Sequence, residues 1–319
     1  MGLRVGLCDS SESPAAARSR YVTDFFHTCS PRCETQYVES LARIAGECSA
    51  KFLIPVFYPE VVALHRAAFP PDLIIPVDEA EKLELLDNKL SCCDLAESLG
   101  IVQPRRYSGL DEIPEYPVVF KRALGHGGDS VYFPRNRETL EHLLSNSREG
   151  TYLITEEIHG AEMSVDALRW GNFFAASAYR VILPKAKGAS VLRESVDAPA
   201  LIDAARKILD ALDYRGVCGL DFCVDAGGRA YFLECNPRFS GGLASSIASG
   251  FDLPRLLLDA AQGLPLPSPD GLKLRTGVRT QSVSGSIAYL KRRRRQGKLT
   301  VGDILALLFS GARAYDDRF

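Results

Sequence analysis

The sequence predicts an α/β (α+β) protein in which a helix-covered parallel sheet precedes a series of antiparallel hairpins. In the first 80 residues, short apolar runs such as Leu3–Cys8 and Phe52–Val56 alternate with amphipathic stretches such as Tyr37–Ala45. Strands separated by helices of about a dozen residues are typical of parallel sheets with helices on their faces. Farther along the chain, strand patterns come in pairs that flank turn residues, which predicts antiparallel hairpins.

The remaining elements follow in chain order. The N-terminal part also carries a loop at Ala17–Asp24, a helix at Tyr58–Ala68 and a short strand at Leu73–Ile75. The middle part predicts a helical stretch Glu79–Gly100, a strand Tyr116–Arg122, a helix Leu140–Ser145, a strand Tyr152–Glu157, a hairpin of Glu162–Trp170 with Phe173–Val181, a helix Ala200–Leu212, and a hairpin of Gly216–Val224 with Ala230–Asn236. After Pro254 we expect helices at Arg255–Ala261 and Val301–Leu308, with a strand-like Gly277–Leu290 between them.

The composition is that of an ordinary globular protein. Apolar residues make up 46% and charged residues 24% of the chain, and a net charge of -2 gives no reason to expect nucleic acid or an anionic membrane as the partner. No run approaches the roughly 20 apolar residues that span a bilayer, and the N-terminus lacks the apolar core of a signal peptide. We therefore expect a cytoplasmic protein without nucleic acid or membrane partners. The basic run Lys291–Arg295 is interpreted as solvated surface.

The nine cysteines do not predict a metal site. The closest approach to a zinc pattern is Cys29-x3-Cys33, and no second pair of ligands accompanies it. Most of the cysteines lie in apolar strand or helix patterns, so we expect small buried hydrophobic side chains in a reducing compartment.

Asp221, Glu234 and Asn236 are the strongest candidates for a functional site. Because side chains alternate along a strand, Glu234 and Asn236 are expected to share a face with Phe232. A four-residue loop at 226–229 would place Asp221 opposite Glu234. Facing carboxylates repel unless a cation or proton lies between them, and an added amide oxygen makes a ligand set suited to Mg²⁺ or Mn²⁺. The alternative is an exposed polar face on an edge hairpin.

The residues after this hairpin favour the metal interpretation. Arg238 supplies a planar fork for phosphate oxygens. Gly241 and Gly242 allow the backbone to approach a ligand closely. An acid, an amide, an arginine and two glycines within nine residues are difficult to explain as a solvated surface.

A second set of candidates points to phosphate. Lys121 ends an apolar strand and is followed by the glycine-rich segment Gly125–Ser130, whose backbone N–H groups suit phosphate oxygens. The pattern is neither a Walker A loop nor a Rossmann fingerprint. Lys89, near the start of a helix, and the acidic segment Glu156–Glu162 are weaker candidates, since each is also explained as solvated surface.

Taken in order, these motifs resemble the ATP-grasp superfamily. The resemblance covers about residues 80 to 260 and is closest to stand-alone carboxylate–amine ligases related to the carbamoyl-phosphate synthase large subunit. It implies an ATP-grasp fold with a Rossmann-like α/β domain at 1–80 that lacks its first strand, a nucleotide-binding and catalytic domain at 81–260, and a C-terminal extension at 261–319 that packs on the catalytic domain.

The resemblance also implies roles for residues of this chain. ATP would be contacted by Lys89 and Lys121, by a lid containing Gly125, Gly127, Gly128 and Ser130, by Glu156, Glu157 and Ile158 at the adenine, and by Glu162 at the ribose. Magnesium or manganese would be held by Asp221, Glu234 and Asn236, while Arg238, Asn236 and Lys121 would act in catalysis. The acceptor substrate would be contacted by Arg180, Lys187, Arg193 and Gly241. Asn88 stands where the family commonly has Asp before the lysine, and Gly128 and Ser130 depart from the usual lid pattern.

The implied reaction joins a small carboxylate, expected to be an amino acid, to an amine. The carboxylate attacks the γ-phosphate of ATP to give an acylphosphate and ADP, and the amine then displaces phosphate. No protein nucleophile is needed, which agrees with the lack of a convincing Ser-His-Asp or Cys-His pattern. The alternatives are a ligase with a thiol or other acceptor, a carboxylase, for which no biotin-carrier sequence is present, and a non-catalytic or regulatory ATP-binding protein. A homodimer is the prior expectation for the assembly.

Overall fold

A computed structural model of the chain describes residues 4–125, 131–148, 150–183, 190–268, 271–308 and 310–314. The described strands are β1 (Gly6–Asp9), β2 (Asp24–His27), β3 (Arg106–Tyr107), β4 (Val118–Arg122), β5 (Val131–Tyr132), β6 (Tyr152–Glu156), β7 (Gly160–Trp170), β8 (Phe173–Leu183), β9 (Leu192–Val196), β10 (Gly216–Asp225), β11 (Ala230–Asn236), β12 (Arg279–Gln281) and β13 (Arg313–Ala314). The described α-helices are α1 (Glu34–Glu47), α2 (Pro59–Leu64), α3 (Ala80–Asp87), α4 (Lys89–Ser98), α5 (Arg137–Ser145), α6 (Pro199–Ala211), α7 (Leu243–Ser249), α8 (Leu253–Ala261), α9 (Val283–Arg295) and α10 (Val301–Leu308). None of these helices is long and apolar enough to cross a membrane.

The N-terminal part contains the parallel pair β1–β2, with α1 and α2 packed around an apolar core. The strands expected at Phe52–Val56 and Leu73–Ile75 are wrong, because these segments meet only at a single parallel bridge between Phe52 and Ile74. Pro55 and Pro76 follow the bridge on the two segments, and proline has no N–H with which to continue a ladder. Strand β2 was not predicted: its first residue, Asp24, was included in the expected loop, and the residues after it had no assignment.

The helical stretch expected at Glu79–Gly100 is two helices, α3 and α4, that meet at Asn88. The Asn88 side chain accepts a hydrogen bond from Leu90 N at 3.0 Å and so caps α4. The break makes Lys89 the first residue of α4, and its backbone N–H donates to Ala123 O just beyond β4. The Asn88 cap therefore fixes the position of the Lys89 backbone, from which the Lys89 side chain extends.

The largest sheet has the strand order β11-β10-β7-β8-β9-β12-β13, and its pairs are antiparallel except for β12–β13. The predicted hairpin of β7 and β8 is confirmed, with Trp170 paired to Phe173 and Gly171 at a φ of 58° in the turn. One face of the sheet packs on α3, α4 and α6 in the main apolar core. On the other face, α8 covers one end through Leu253 and Leu257, together with Phe251 just before the helix, which leaves a row of polar side chains beside it.

A smaller sheet has the order β3-β6-β4-β5. Val118 and Phe120 of β4 pack with Leu140 of α5 in its core. Because side chains alternate along a strand, Lys121 lies on the opposite face of β4, where only 7% of its surface is exposed.

The strand-like segment expected at Gly277–Leu290 is wrong beyond Gln281, because α9 begins at Val283. Ser282 caps this helix by accepting a hydrogen bond from Gly285 N at 2.9 Å, and the N-cap overrides the strand-like pattern that follows. Helix α10 has the predicted bounds, whereas α7 and β9 were not predicted. The predicted domain boundaries at residues 80/81 and 260/261 stay predictions.

Candidate functional site

Asp221 of β10 lies directly opposite Glu234 of β11, and the predicted loop 226–229 connects the two strands, so both predictions are confirmed. The pairing register at the turn differs from a simple hairpin, because Ala230 pairs with Val224 and not with Asp225. If this register continued without a bulge, Asp221 would pair with Leu233, and Glu234 would lie on the opposite face of the hairpin. A bulge at Leu233 adds one residue to β11 and restores their alignment.

The bulge also changes which side chains share a face. Phe232 was expected beside Glu234 and Asn236, and this is wrong, because Phe232 and Cys235 both lie in the apolar core with 0% and 2% exposure. Phe232 packs edge-on against Phe222 at 5.6 Å between ring centroids. Glu234 and Asn236 are half-buried on the other face. The acid pair and the packed aromatic pair are therefore successive pairs of the hairpin that lie on opposite faces.

Burial and the neighbouring Glu234 carboxylate raise the pKa of Asp221 to about 7. Asp166 and Glu162 act in the same direction, whereas Ser164, whose Oγ donates to Asp221 Oδ1 at 2.6 Å, lowers the pKa. Two carboxylates close together in a desolvated position cannot both be ionised without a compensating positive charge. The pair therefore favours either a shared proton or a cation.

Two lysines from different elements reach this acid pair. Lys89 Nζ lies 3.4 Å from Glu234 Oε2 and donates to Gly125 O at 2.9 Å, with 4% of the residue exposed. Burial lowers the pKa of Lys121, and the Glu234 and Asp221 carboxylates oppose that effect. Among the candidate phosphate contacts, the structure thus brings both lysines together with the acid pair.

Arg238 is held beside the pair by its neighbours. Its Nη2 donates to Asn236 Oδ1 at 3.1 Å and its Nη1 donates to Phe239 O at 3.3 Å. The guanidinium carbon lies 4.8 Å from the centre of the Phe57 ring, a cation–π distance. Arg238 Nε is buried and has no hydrogen-bond partner among the described residues. An unpaired buried N–H on a planar cation suits an anionic ligand.

The diglycine after Arg238 has a structural role that the sequence did not indicate. A Cβ on Gly242 would lie 2.0 Å from Tyr179 Oη, so glycine is required for the loop to pack on this ring. The Tyr179 hydroxyl lies 3.4 Å from Ser240 Oγ, within hydrogen-bond distance. Gly241 is exposed and remains accessible to a ligand.

A buried polar floor lies beside the acid pair, and sequence reasoning missed it. Asp166 is fully buried and accepts a hydrogen bond from Ser246 Oγ at 2.5 Å, and Ser177 Oγ donates to Ser246 Oγ at 2.8 Å. Burial raises the pKa of Asp166. The signal was the alternation of polar Ser164 and Asp166 with apolar residues along β7, which marks one polar face of a central strand.

The candidate substrate residues divide between the two faces of the sheet. Arg193 is 1% exposed, and its guanidinium carbon lies 5.7 Å from the centre of the Tyr179 ring on the polar face. Arg180 is on the other face, where it donates to Glu194 Oε1 at 2.9 Å. The structure therefore brings Arg193, but not Arg180, to the acid-pair face, and Lys187 lies outside the described residues.

The candidate adenine and ribose contacts surround the end of β6. The Glu156 carboxylate accepts a hydrogen bond from Arg105 N at 2.8 Å, and Glu157 lies 4.0 Å from His159 Nδ1. Ile158 O accepts a hydrogen bond from Cys223 Sγ at 3.6 Å. Glu162 is exposed on β7, opposite Cys223 of β10. The remaining glycine-loop candidates, Gly127, Gly128 and Ser130, lie outside the described residues.

The ligand set fits a hard divalent cation. It consists of two carboxylates and one amide oxygen, the atom types that magnesium and manganese prefer. Among the described residues there is no group of three or more histidine, cysteine, aspartate or glutamate side chains that could hold a metal ion, so the two carboxylates would need the Asn236 amide oxygen as a further ligand. The nine cysteines are free thiols and five of them are buried, which confirms that most act as small apolar side chains.

The chain has the fold of ATP-grasp proteins, and the predicted fold class and the predicted resemblance to the ATP-grasp superfamily are confirmed. A family model described as "ATP-grasp in the biosynthetic pathway with Ter operon" matches residues 148–286.

Three known proteins illustrate the similarity. The carbamoyl phosphate synthase large chain of Thermoplasma volcanium is 25% identical over 210 residues, which are 58% of this chain and 20% of that protein. The L-amino acid ligase of Bacillus licheniformis has a TM-score of 0.66 at 17% identity, over 87% of this chain and 73% of that one. The biotin carboxylase domain dimer of the Hydrogenobacter thermophilus 2-oxoglutarate carboxylase, solved with MgADP and bicarbonate, has a TM-score of 0.70 at 16% identity, over 87% and 68% of the two chains. The chain spans about a fifth of the length of the curated relatives it matches.

Proposed function

We propose that the chain is an ATP-dependent ligase that joins a small carboxylate, an amino acid, to an amine through an acylphosphate, with release of ADP and phosphate. The observation that carries the proposal is the convergence of Lys89 and Lys121 on the facing pair Asp221 and Glu234. Cations and carboxylates in this arrangement suit a metal-bound polyphosphate. The ligases and synthases among the similar proteins support the same class of reaction.

In this proposal Asp221, Glu234 and Asn236 hold magnesium or manganese. The bound metal would neutralise charge on the phosphates of ATP. Lys89 contacts the phosphates and also fixes the start of the glycine loop through Gly125 O. Lys121 adds a second buried cation.

Arg238 steadies the phosphoryl group as it transfers. Its guanidinium plane is held by Asn236 Oδ1 and by the Phe57 ring, while its buried Nε remains available to an anionic oxygen. A planar fork with a fixed orientation stabilises charge that develops during transfer. Asn236 therefore has two roles, as a metal ligand and as the anchor of Arg238.

The nucleotide base and sugar are assigned to the end of β6 and the start of β7. The backbone of Glu157 and Ile158 faces the adenine, and the exposed Glu162 carboxylate receives the ribose hydroxyls. Glu156 contributes by holding β3 against β6 through Arg105 N. Gly125, Gly127, Gly128 and Ser130 are proposed as phosphate contacts.

For the acceptor we propose Arg193 and Gly241, with Lys187. Arg193 lies on the polar face beside Tyr179, and Gly241 is the exposed residue of the diglycine. Arg180 is the weaker of the proposed contacts, because its guanidinium is paired with Glu194 on the opposite face.

A screen for ADP release tests this function. Purified protein, MgATP and pairs of amino acids, small carboxylic acids and amines are combined, with mass detection of the joined product. ADP release that requires both a carboxylate and an amine is expected. Glu234→Gln provides the background, because loss of one carboxylate removes the metal site. ATP binding without turnover across the screen would instead indicate a non-catalytic nucleotide-binding protein.

A second candidate is a ligase that activates bicarbonate, since the Hydrogenobacter neighbour is solved with that anion. Bicarbonate-dependent ADP release without an added carboxylic acid would distinguish it. We further propose a cytoplasmic location, a division of the chain at residues 80/81 and 260/261, and a homodimer, for which the dimeric neighbour is the support.

A further inference from the structure

Helix α10 turns an apolar side outward. Val301, Ile304, Leu305 and Leu308 have helical spacing and lie on one side of the helix, with exposed fractions of 71%, 37%, 47% and 71%. We call these four residues the apolar stripe. Contiguous exposed apolar side chains of this kind mark a surface that binds something other than water.

The stripe is fixed outward by the other side of the same helix. Asp303 accepts hydrogen bonds from Tyr289 Oη at 3.0 Å and from Arg293 Nη2 at 3.2 Å, which tie α10 to α9. Leu307, one turn after Asp303, is 6% exposed. Turning the stripe inward would therefore break the Asp303 contacts and expose Leu307.

A cluster of cations precedes the stripe. The last turns of α9 and the following turn expose five basic side chains that form no ion pair with a described residue, Lys291, Arg292, Arg294, Arg295 and Lys298. We call these five the basic cluster. Its neighbour Arg293 differs, because it is committed to Asp303. The basic cluster ends just before the turn that enters α10.

We propose that α9 and α10 dock on an anionic lipid surface. The stripe enters the boundary between headgroups and acyl chains, and the basic cluster lies against the anionic headgroups. Exposed apolar side chains and exposed cations in adjoining helices are the two features that such a surface requires. The expectation of no membrane partner rested on the net charge of the whole chain, which averages out this local cluster.

Charge complementarity favours lipid over the other occupants of this surface. A second copy of the chain placed symmetrically on the stripe would bring two basic clusters towards each other, at an electrostatic cost. Nucleic acid would bind the cations but leave the stripe in water. An anionic lipid surface satisfies both features together.

Co-sedimentation of the full chain with vesicles tests the proposal. Vesicles of phosphatidylcholine alone are compared with vesicles of phosphatidylcholine and phosphatidylglycerol in equal parts, at low and high salt. Binding is expected only with the anionic vesicles, and it should weaken as salt screens the cluster. Equal binding to both vesicles, or to neither, would overturn the proposal.

Two pairs of substitutions separate the contributions. Ile304→Gln with Leu308→Gln removes apolar surface from the stripe, and Arg294→Glu with Arg295→Glu reverses two charges of the cluster. Each pair is expected to weaken binding to anionic vesicles by about tenfold or more. If the stripe variant binds anionic vesicles as well as the unaltered chain does, binding depends on charge alone. That result would contradict the insertion of the stripe into the lipid.

Controls of matched chemistry lie elsewhere on the chain. Leu64→Gln alters an apolar side chain that is 61% exposed, and Arg148→Glu reverses an exposed charge. Both should bind anionic vesicles like the unaltered chain. Circular dichroism and thermal unfolding establish that every variant is folded. The lipid proposal would be overturned if the chain does not bind vesicles but forms a concentration-dependent dimer that Ile304→Gln with Leu308→Gln dissociates. In that case the stripe binds a second copy of the chain.

Discussion

Lys89 Nζ lies 3.4 Å from Glu234 Oε2 while it donates a hydrogen bond to Gly125 O at 2.9 Å. One buried ammonium group therefore joins the first turn of α4, the acid pair and the beginning of the glycine-rich segment. The contact depends on the Asn88 cap that begins α4 at this lysine.

Replacement of Lys89 by methionine should weaken ATP binding. The substitution keeps the length of the side chain but removes a charge-assisted hydrogen bond, so a loss of about tenfold to a hundredfold in affinity is expected. Isothermal titration calorimetry with MgATP measures it. Lys207→Met, at an exposed lysine paired with Asp203, is the matched control and should leave affinity unchanged. Unchanged affinity in Lys89→Met would mean that this lysine serves only the fold.

The stability of the metal-free protein should fall as pH rises between about 4 and about 7. The pKa of Asp221 is raised to about 7 by burial and by Glu234, whereas an unfolded aspartate titrates near 3.9. Between these values the folded chain binds the extra proton, so stability is greatest at the acidic end and decreases with pH, by about a few kcal/mol at most. Urea unfolding at a series of pH values measures the slope.

Asp221→Asn provides the comparison for this pH dependence, because it removes the titrating group and should flatten that part of the slope. Added Mg²⁺ should stabilise the unaltered protein more at pH 8 than at pH 5, since the cation competes with the proton for the same oxygens. An unchanged slope in Asp221→Asn, or equal stabilisation by Mg²⁺ at both pH values, would contradict the assignment of this carboxylate.

Phe57→Ala should slow turnover with little effect on ATP affinity. The Phe57 ring lies 4.8 Å from the Arg238 guanidinium carbon, and its loss frees the guanidinium that is proposed to steady the transferring phosphoryl group. A cation–π contact of about 0.5–2 kcal/mol predicts a rate reduction of about twofold to thirtyfold. ADP release and nucleotide titration are measured side by side. Val56→Ala, at a neighbouring residue of equal exposure, is the control. A change in affinity with an unchanged rate would refute this positioning role.

Gly242→Ala should destabilise the fold by about 1–3 kcal/mol, because its Cβ would overlap the Tyr179 ring. Gly46→Ala is the contrasting variant, since nothing lies within 4 Å of a Cβ at this helical position, and it should be neutral or slightly stabilising. Urea unfolding gives both values. Addition of Tyr179→Ala to Gly242→Ala should cost less than the sum of the single changes, and strict additivity would exclude the contact.

The acid pair shows what the sequence could predict and what it could not. Residue types and their order were enough to place Asp221 opposite Glu234, whereas the phosphate contact of Lys121 stays a prediction. The face expected for Phe232 was wrong, because the bulge at Leu233 interrupts the period-two alternation from which that face was predicted.

Other differences have equally local causes. Asn88 and Ser282 each began a helix through a cap where the apolar pattern indicated continuous helix or strand. Asp166 and Arg193 are buried on the polar face because β7, β8 and β9 pair side by side in the sheet. The spacing of residues within one segment does not show that these two side chains share a face. Long-range pairing of this kind requires the tertiary structure.

The bulge at Leu233 lies between the acid pair and the turn of the hairpin. The pairing of Asp221 with Glu234 therefore does not depend strictly on the length of that turn. If the turn were one residue shorter, loss of the bulge would keep the two carboxylates opposite each other. The exposed glycines at 227 and 228 are thus a suitable point for inserting a fluorescent reporter or an affinity tag. A label placed at this turn would report on the hairpin that carries the acid pair without changing its alignment.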